Sequence, residues 1–446
     1  MCRDTPYLQQ DRDLEALVPS VGAVYGAAKN REELLNKVVL VSRCQKLMVA
    51  CTTVALGIIG VAVPAIADAT AKPAVSAQVI SAATYVALGD SYSSGEGIPG
   101  PKPDQWLSTL GVPWSSKDRC DRSALAYPSL VASNEGDASN FRFVACSGAV
   151  TGSTNDASPY TSGAPSLLLG KRGGEPSQLG ALTSDTKIVS VTVGGDDLGF
   201  VKVLAACVGL MVQVGPVRHF FSSKAPGASA AKCSSDLAQS KTIATSSPGT
   251  VPSLAGALVD TYTKILAAAP NATLYVLNYP QFFSATKVST FCPLAGAIKL
   301  GAASVYLGVS PSQLTDINGL EINLNSDIAA AVGQVSETLG TSRIEVADVN
   351  GLTTSEGQTC NTKTMSKSII NGVLFSLPNS ISTLYSDCLQ KSNGLIPNCS
   401  GALSAAESNI IAKGSVHPKP AGQTLMAKAL ESAIQDTAMS AAAARK

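Results

Sequence analysis

The chain has 446 residues, 45% of them hydrophobic and 15% charged, with a formal net charge of +1. That length holds one large domain or two smaller ones, and that composition builds a sizeable core easily. Near-neutrality, with no basic stripe interleaved with aromatics, excludes a nucleic-acid partner on electrostatic grounds.

Arg43 and Lys46 precede an uncharged run over 47–67, which ends in Ala65-Ile66-Ala67 before Asp68. A positive flank, an apolar stretch and a small-x-small site read as a cleaved secretion signal. The run of 21 residues is also long enough to stay in a bilayer as an uncleaved anchor. Cleavage is the expectation, because a polar stretch follows the site. Cys51 lies too early in the run for a lipoprotein site. Residues 1–42 are long and polar for a signal's leading region; a start nearer Val38, Val39 or Met48, or a cytoplasmic tail, would account for them. The expected plan is therefore an extension with signal or anchor at 1–67, in transient membrane contact. An Ala/Lys/Pro/Ser-rich linker follows at 68–83, then a folded domain at 84–436 and a low-complexity, fraying tail at 437–446.

Within the domain, strand-like and helix-like stretches alternate. Residues 85–88, 141–146, 188–193, 273–277 and 343–349 read as strands. Residues 123–133, 254–269, 314–339 and 421–434 read as helices. This alternation predicts an α/β fold with a parallel sheet covered on both faces. In such sheets functional loops gather at the carboxyl ends of the strands. Residues 89–91, 147–148 and 194–197 all fall there. Three stretches, 222–252, 284–313 and 353–412, break the pattern and read as long surface excursions.

Of eleven cysteines, Cys2, Cys44 and Cys51 fall in the first 67 residues. The other eight, Cys120, Cys146, Cys207, Cys233, Cys292, Cys360, Cys388 and Cys399, suggest disulfides in an exported chain. No pair has C-x-x-C spacing, so zinc is not expected. Eight cysteines allow about 105 connectivities; the expectation is sequential pairing, 120–146, 207–233, 292–360 and 388–399.

Ser91 sits at the tip of a tight turn of small residues directly after an apolar strand, where a hydroxyl is exposed as a nucleophile requires. A serine nucleophile needs a base, usually histidine near neutral pH. The chain has two histidines, His219 and His417. His417 stands in Val416-His417-Pro418 before a helical segment, while His219 reads as a surface residue.

Several blocks in chain order carry a resemblance. These are Gly89-Asp90-Ser91-Tyr92-Ser93-Ser94-Gly95, Ala126-Tyr127-Pro128, Ala145-Cys146-Ser147-Gly148-Ala149, the run from Val193 through Gly194-Gly195-Asp196-Asp197 to Phe200, Asn278-Tyr279-Pro280, and Val416-His417-Pro418 with Ala421-Gly422. Over residues 84–434 the chain resembles the SGNH (GDSL) hydrolases, most closely their secreted bacterial lipases and esterases. The G-x-S-x-G elbow of ordinary α/β-hydrolases does not match, because Ser93 stands where its second glycine belongs. The resemblance implies a three-layer α/β/α sandwich around a mostly parallel sheet of flavodoxin-like type. It implies Ser91 as nucleophile, His417 as base and the amides of Ser91 and Gly148 as oxyanion donors, with no metal or organic cofactor.

Two departures stand out. Where the family carries an oxyanion-hole asparagine, this chain has Asp196, which when ionised only accepts hydrogen bonds. Asp196 would assist only if protonated, for instance by burial beside Asp197, and it suits a turn cap equally well. Three residues before the histidine, where the family often has Asp, stands Gly414. The carbonyl of Gly414 or Ser415 is the expected orienting group, with Asp348 or Asp387 as a distant alternative. Trp106 and Trp114 suit either packing or an acyl-binding wall. The expectation is an exported, monomeric serine esterase or lipase acting on carboxylic, lipid-like esters. Acyl transfer on the same fold and a catalytically silent ligand-binding protein are the alternatives, the latter because of Asp196.

Overall fold

The computed structural model describes residues 84–98, 120–134, 140–153, 166, 176–221, 230–250, 252–283, 292–293, 298–300, 303–353, 360, 368–370 and 416–443. All of them fall within the compact unit Pro73–Lys446. The expected segments 1–67 and 68–83 lie outside the described residues, as do Trp106, Trp114, Asp387, Cys388, Cys399, Gly414 and Ser415.

The strands among the described residues are β1 (Thr84–Ala87), β2 (Phe141–Phe143), β3 (Thr186–Val191), β4 (Gly209–Val214), β5 (Val217–Phe221), β6 (Thr273–Leu277), β7 (Cys292–Pro293), β8 (Ile298–Leu300), β9 (Ala303–Val309) and β10 (Ile344–Ala347). The helices are α1 (Ser91–Ser94), α2 (Tyr127–Asn134), α3 (Phe200–Cys207), α4 (Ala230–Thr245), α5 (Leu254–Ala268), α6 (Pro311–Leu339) and α7 (Pro420–Ala443).

Five strands form one parallel sheet in the order β10-β6-β3-β1-β2. The chain starts at β1, steps out to β2, then returns past β1 to β3, β6 and β10. This is a doubly wound α/β sheet whose direction of winding reverses between β1 and β3, where a crevice opens at the strand ends. The central strands are buried along their length, as Tyr85, Val86, Ala87, Val189 and Val191 show. Covered on both faces, they read as continuous apolar runs rather than as alternation. Pairing outlasts β1: the amides of Leu88 and Asp90 donate to the carbonyls of Ser190 and Thr192 at 2.9 and 3.0 Å. The strand's exit is thus held in register up to the residue before Ser91.

Helix α6 begins with a capping box, Ser310 with Gln313, and Pro311 at its first position; Gly340 ends it at φ 56°. Its buried stripe, Leu314, Ile317, Leu320, Glu321, Leu324 and Ile328, has helical spacing. Each fully buried apolar side chain of this kind contributes about 1.5–3 kcal/mol. A carboxylate sits in the middle of that stripe.

Two of the expected excursions contain regular structure. Residues 298–309 supply β8 and β9, which join β4, β5 and β7 in an antiparallel sheet of order β5-β4-β9-β7, with β8 on β9. β8 and β9 pair with each other as a hairpin, but the β4 partner of β9 lies roughly 90 positions away in the chain, which no local signal reveals. Residues 230–245 form α4, which buries only Cys233, Ser240, Ile243 and Ala244; its apolar stripe is too thin to read from sequence. His219 lies in β5, paired with Val212. The last helix also exceeds expectation, running through Ala443 rather than ending at Ile434. Alanine is the strongest helix former, and Thr437 Oγ1 donates to Glu345 Oε2 at 3.0 Å, tying this helix to β10.

Among the described residues three disulfides join Cys120 to Cys146, Cys207 to Cys233 and Cys292 to Cys360, the pairs expected; the fourth expected pair, 388–399, lies outside them. The first anchors the loop after β2, the second pins α4 to α3, and the third fixes β7.

Candidate active site

Between β1 and α1 the backbone must turn at Gly89. Its φ is 127°, and a Cβ there would stand 2.6 Å from the Thr192 carbonyl oxygen and 2.5 Å from Ser93 Oγ. Only glycine fits. Gln178 clamps this residue from both sides, accepting from its amide at 2.8 Å and donating to its carbonyl at 2.9 Å. Asp90 then caps α1, accepting from the Tyr92 amide at 2.9 Å, so that Ser91 opens the helix. The Gly95 amide closes the turn on the Ser91 carbonyl.

His417 arrives 326 residues later and is buried beside this turn. Its Nε2 lies 2.6 Å from Ser91 Oγ. The residue before it, Val416, has φ 58°, a left-handed conformation that a β-branched side chain avoids. Such a residue costs of order 1–3 kcal/mol and persists only where its surroundings hold it. Here Tyr92 OH donates to the Val416 carbonyl at 2.5 Å. On the other side, the Lys419 amide donates to the Ile369 carbonyl at 2.8 Å, and Ile370 bridges Pro418. Gln423 on α7 accepts from the Tyr127 amide at 2.7 Å and donates to the Tyr92 carbonyl at 3.1 Å. The histidine is thus braced against the same one-turn helix that presents Ser91.

The loop after β2 passes close by. The Cys146 amide donates to the Gly89 carbonyl at 2.9 Å, and the Ser147 amide to the Cys120 carbonyl at 3.0 Å. Gly148 follows at φ 77°. Among the described residues, neither the Gly148 amide nor the Ser91 amide has a hydrogen-bond acceptor. Both are available to an oxyanion.

A residue that motif reasoning passed over also belongs here. Glu96 is buried, its amide donates to the Ser91 carbonyl at 3.1 Å, and its Oε2 stands 3.8 Å from His417 Nε2. Ser147 Oγ donates to the same Oε2. The sequence signal was its place five residues beyond Ser91 in the same small-residue block; the helix turn and the αL glycine at 95 fold it back. Asp348, the distant alternative, instead accepts from Asn278 Nδ2 at 2.8 Å and from the Gly351 amide at 2.9 Å.

Asp90 ties the strand ends together. It accepts from Thr192 Oγ1 at 2.6 Å and from Tyr279 OH, whose oxygen in turn accepts from the Gly195 amide at 3.3 Å. Burial pushes the Asp90 carboxyl up, while Thr192, Tyr279, the Tyr92 amide and the nearby His417 pull it back. Burial, followed by neighbouring carboxylates, pushes the phenols of Tyr92 and Tyr279 well above their ordinary range. Both therefore stay protonated and serve as donors.

Ser91 and His417 open onto a cleft. Phe200, Val201, Phe282 and Leu324 give it an apolar lining, and Asp196 and Glu321 also face it. The two adjacent aspartates part company: Asp197 is buried against Thr151, accepting from its amide at 3.0 Å and its hydroxyl at 2.7 Å, while Asp196 lines the cleft. Glu321 accepts from the Phe282 amide at 3.0 and 3.2 Å. Burial pushes its carboxyl well above the usual range, with that one amide in opposition. Chemically, the arrangement offers a hydroxyl hydrogen-bonded to an imidazole, two unengaged amides and an apolar slot.

No family model matches the sequence. The chain is 32% identical over 259 residues to Lipase 1 of Streptomyces coelicolor, an alignment spanning 58% of this chain and 69% of that protein. It is 30% identical over 275 residues to a lipase of Streptomyces rimosus, spanning 62% and 78%. Among solved structures it is similar to phospholipase A1 from Streptomyces albidoflavus, with 26% identity and a TM-score of 0.45 over 79% of this chain and 99% of that one.

Proposed function

Because this chain belongs to the SGNH hydrolase family, is similar to lipases of Streptomyces and is a carboxylic ester hydrolase, we propose that it is an exported serine esterase or lipase working through an acyl-enzyme on Ser91. The observation that carries this reading is the 2.6 Å contact between Ser91 Oγ and His417 Nε2 at the mouth of an apolar cleft. His417 takes the Ser91 proton as Oγ bonds to the ester carbonyl carbon. The carbonyl oxygen becomes an oxyanion held by the amides of Ser91 and Gly148. As the tetrahedral intermediate collapses, the C–O bond to the alcohol breaks and His417 Nε2–H protonates the departing oxygen. A water then attacks the acyl-enzyme with His417 again as base, releasing the carboxylic acid and restoring the Ser91 hydroxyl.

The apolar lining supports lipid-like acyl groups as substrate. Export is supported by the signal-like run at 47–67 and by three disulfides, which persist in oxidising compartments. Among the described residues no helix is long and apolar enough to cross a membrane. Kinship with the lipases sets aside the silent ligand-binding alternative.

The test is hydrolysis of p-nitrophenyl esters from acetate to palmitate by the protein and by Ser91→Ala. The variant is expected to fold normally and to lose turnover by at least about a thousandfold. Turnover that survives in Ser91→Ala would end the acyl-enzyme mechanism.

A further inference from the structure

We infer that Glu96 is the charge partner of His417: a buried carboxylate that stabilises the imidazolium from the Nε2 side and couples the base to the oxyanion loop. This rests on the reading of Ser91 and His417 as the catalytic pair and deepens it.

Three observations converge on one side chain. First, Glu96 Oε2 lies 3.8 Å from His417 Nε2, inside ion-pair range but beyond hydrogen-bond reach. The side chains of His417 and Glu96 are only 6% and 10% exposed. A charge interaction at that distance is screened far less there than at a surface. Second, the same Oε2 accepts from Ser147 Oγ, one residue before Gly148. The carboxylate therefore spans from the base to the loop that presents the second oxyanion amide. Third, its backbone amide donates to the Ser91 carbonyl, so Glu96 is carried by the same turn as the nucleophile. With glycine at 414, no side chain three residues before His417 can act as its acid; Glu96 supplies a negative charge from another direction.

The proton balance is simple. Glu96 acts as the acceptor for Ser147 and takes no part in the proton transfer. In the acylation step the Ser91 proton moves to Nε2, creating a positive imidazolium beside the carboxylate and a negative oxyanion at Gly148. Glu96 lowers the energy of the first charge. Held off by Ser147 at a distance too long for a direct hydrogen bond, it leaves the Nε2–H free to turn to the leaving oxygen. It is a positioning residue, acting through His417 and Ser147 rather than on substrate.

The test uses Glu96→Gln, Glu96→Ala and Ser147→Ala, with active sites titrated by a fluorophosphonate so that rates are per competent Ser91. Glu96→Gln keeps an acceptor for Ser147 and removes the charge; kcat is expected to fall by about tenfold to a hundredfold, with KM unchanged. Ser147→Ala releases the carboxylate and falls by a few-fold. Glu96→Ala falls at least as far as Glu96→Gln, and added formate, a small carboxylate that fits the vacated space, restores part of its kcat but none to Glu96→Gln. A wild-type kcat in Glu96→Gln overturns the proposal, as does a Glu96→Ala loss that formate leaves unchanged. Failure of the underlying pair looks different: Ser91→Ala would then retain turnover and the fluorophosphonate would not label Ser91.

Discussion

Two buried carboxyls border the cleft, and their surroundings differ. Asp90 accepts from Thr192, from Tyr279 and from the Tyr92 amide, and His417 lies near enough to favour its charge. Glu321, equally buried, has one amide donor shared between its two oxygens. Desolvation raises both, but at Asp90 several donors oppose it and at Glu321 only one does. Asp90 is thereby a fixed strut between strand ends. At Glu321 burial favours the protonated form, which leaves a polar group in an apolar lining. Two further acids, Asp196 and Asp327, extend the comparison.

The sharpest way to break it is at Asp196, an acceptor that faces the cleft where a donor would serve the oxyanion. Asp196→Asn converts acceptor to donor without changing shape. If an oxyanion hole with the Ser91 and Gly148 amides is completed at this position, kcat rises by about tenfold to a hundredfold with KM little changed. Steady-state kinetics on p-nitrophenyl butyrate would show it. An unchanged or lower kcat would mean that Asp196 has its own task as an anion.

Glu321 tests the other side. As pH rises through its raised value the carboxyl ionises and places a charge beside Phe282 and Leu324. Long acyl chains then bind less well. In Glu321→Gln, which still accepts from the Phe282 amide but cannot ionise, KM for long-chain esters at the upper end of a pH series is expected to be roughly threefold to tenfold below that of the unaltered protein. At the lower end of the series the two should agree. Parallel KM curves across the whole pH range would remove Glu321 from the acyl site.

How much of this was legible in the sequence follows from how local each feature is. Ser91, Gly148 and His417 sit in contiguous blocks whose small residues and glycines answer to local backbone demands, such as the φ of 127° at Gly89. The parallel strands were readable because burial on both faces makes them continuous apolar runs. Glu96 stood in plain view, yet its meaning depends on a turn that brings it back to a histidine more than 300 residues away. Glu321 did leave a trace: it occupies the apolar stripe of α6, four residues after Ile317 and three before Leu324, where a charge is out of place. The antiparallel sheet was missed because β4 and β9 pair across roughly 90 residues of chain, and no property of either strand names its partner. The expected sequential pairing of the cysteines is met by the three bridges among the described residues, although spacing alone leaves many pairings open.

Asp327 gives the smallest effect and the cleanest sign. It lies on α6, half-buried, with Oδ2 buried and without a hydrogen-bond partner among the described residues. Burial alone raises its carboxyl from 3.8 to about 7. With the folded value above the unfolded one, the native state holds the proton more tightly. Stability is unaffected below about pH 4, falls as pH rises toward 7, and carries the full penalty above that. Asp327→Asn has the shape of the protonated acid and no charge to desolvate. It should match the unaltered protein at pH 4 and exceed it at pH 8 by about 1 kcal/mol, a discounted figure because the group is partly solvated. That corresponds to a rise in Tm of roughly 1–2 °C for a domain of this size. Thermal melts at the two pH values decide it: equal gains at both would assign the effect to something other than ionisation, whereas a gain confined to pH 8 would show that an unbonded carboxyl, unlike Asp90, destabilises this fold in proportion to its charge.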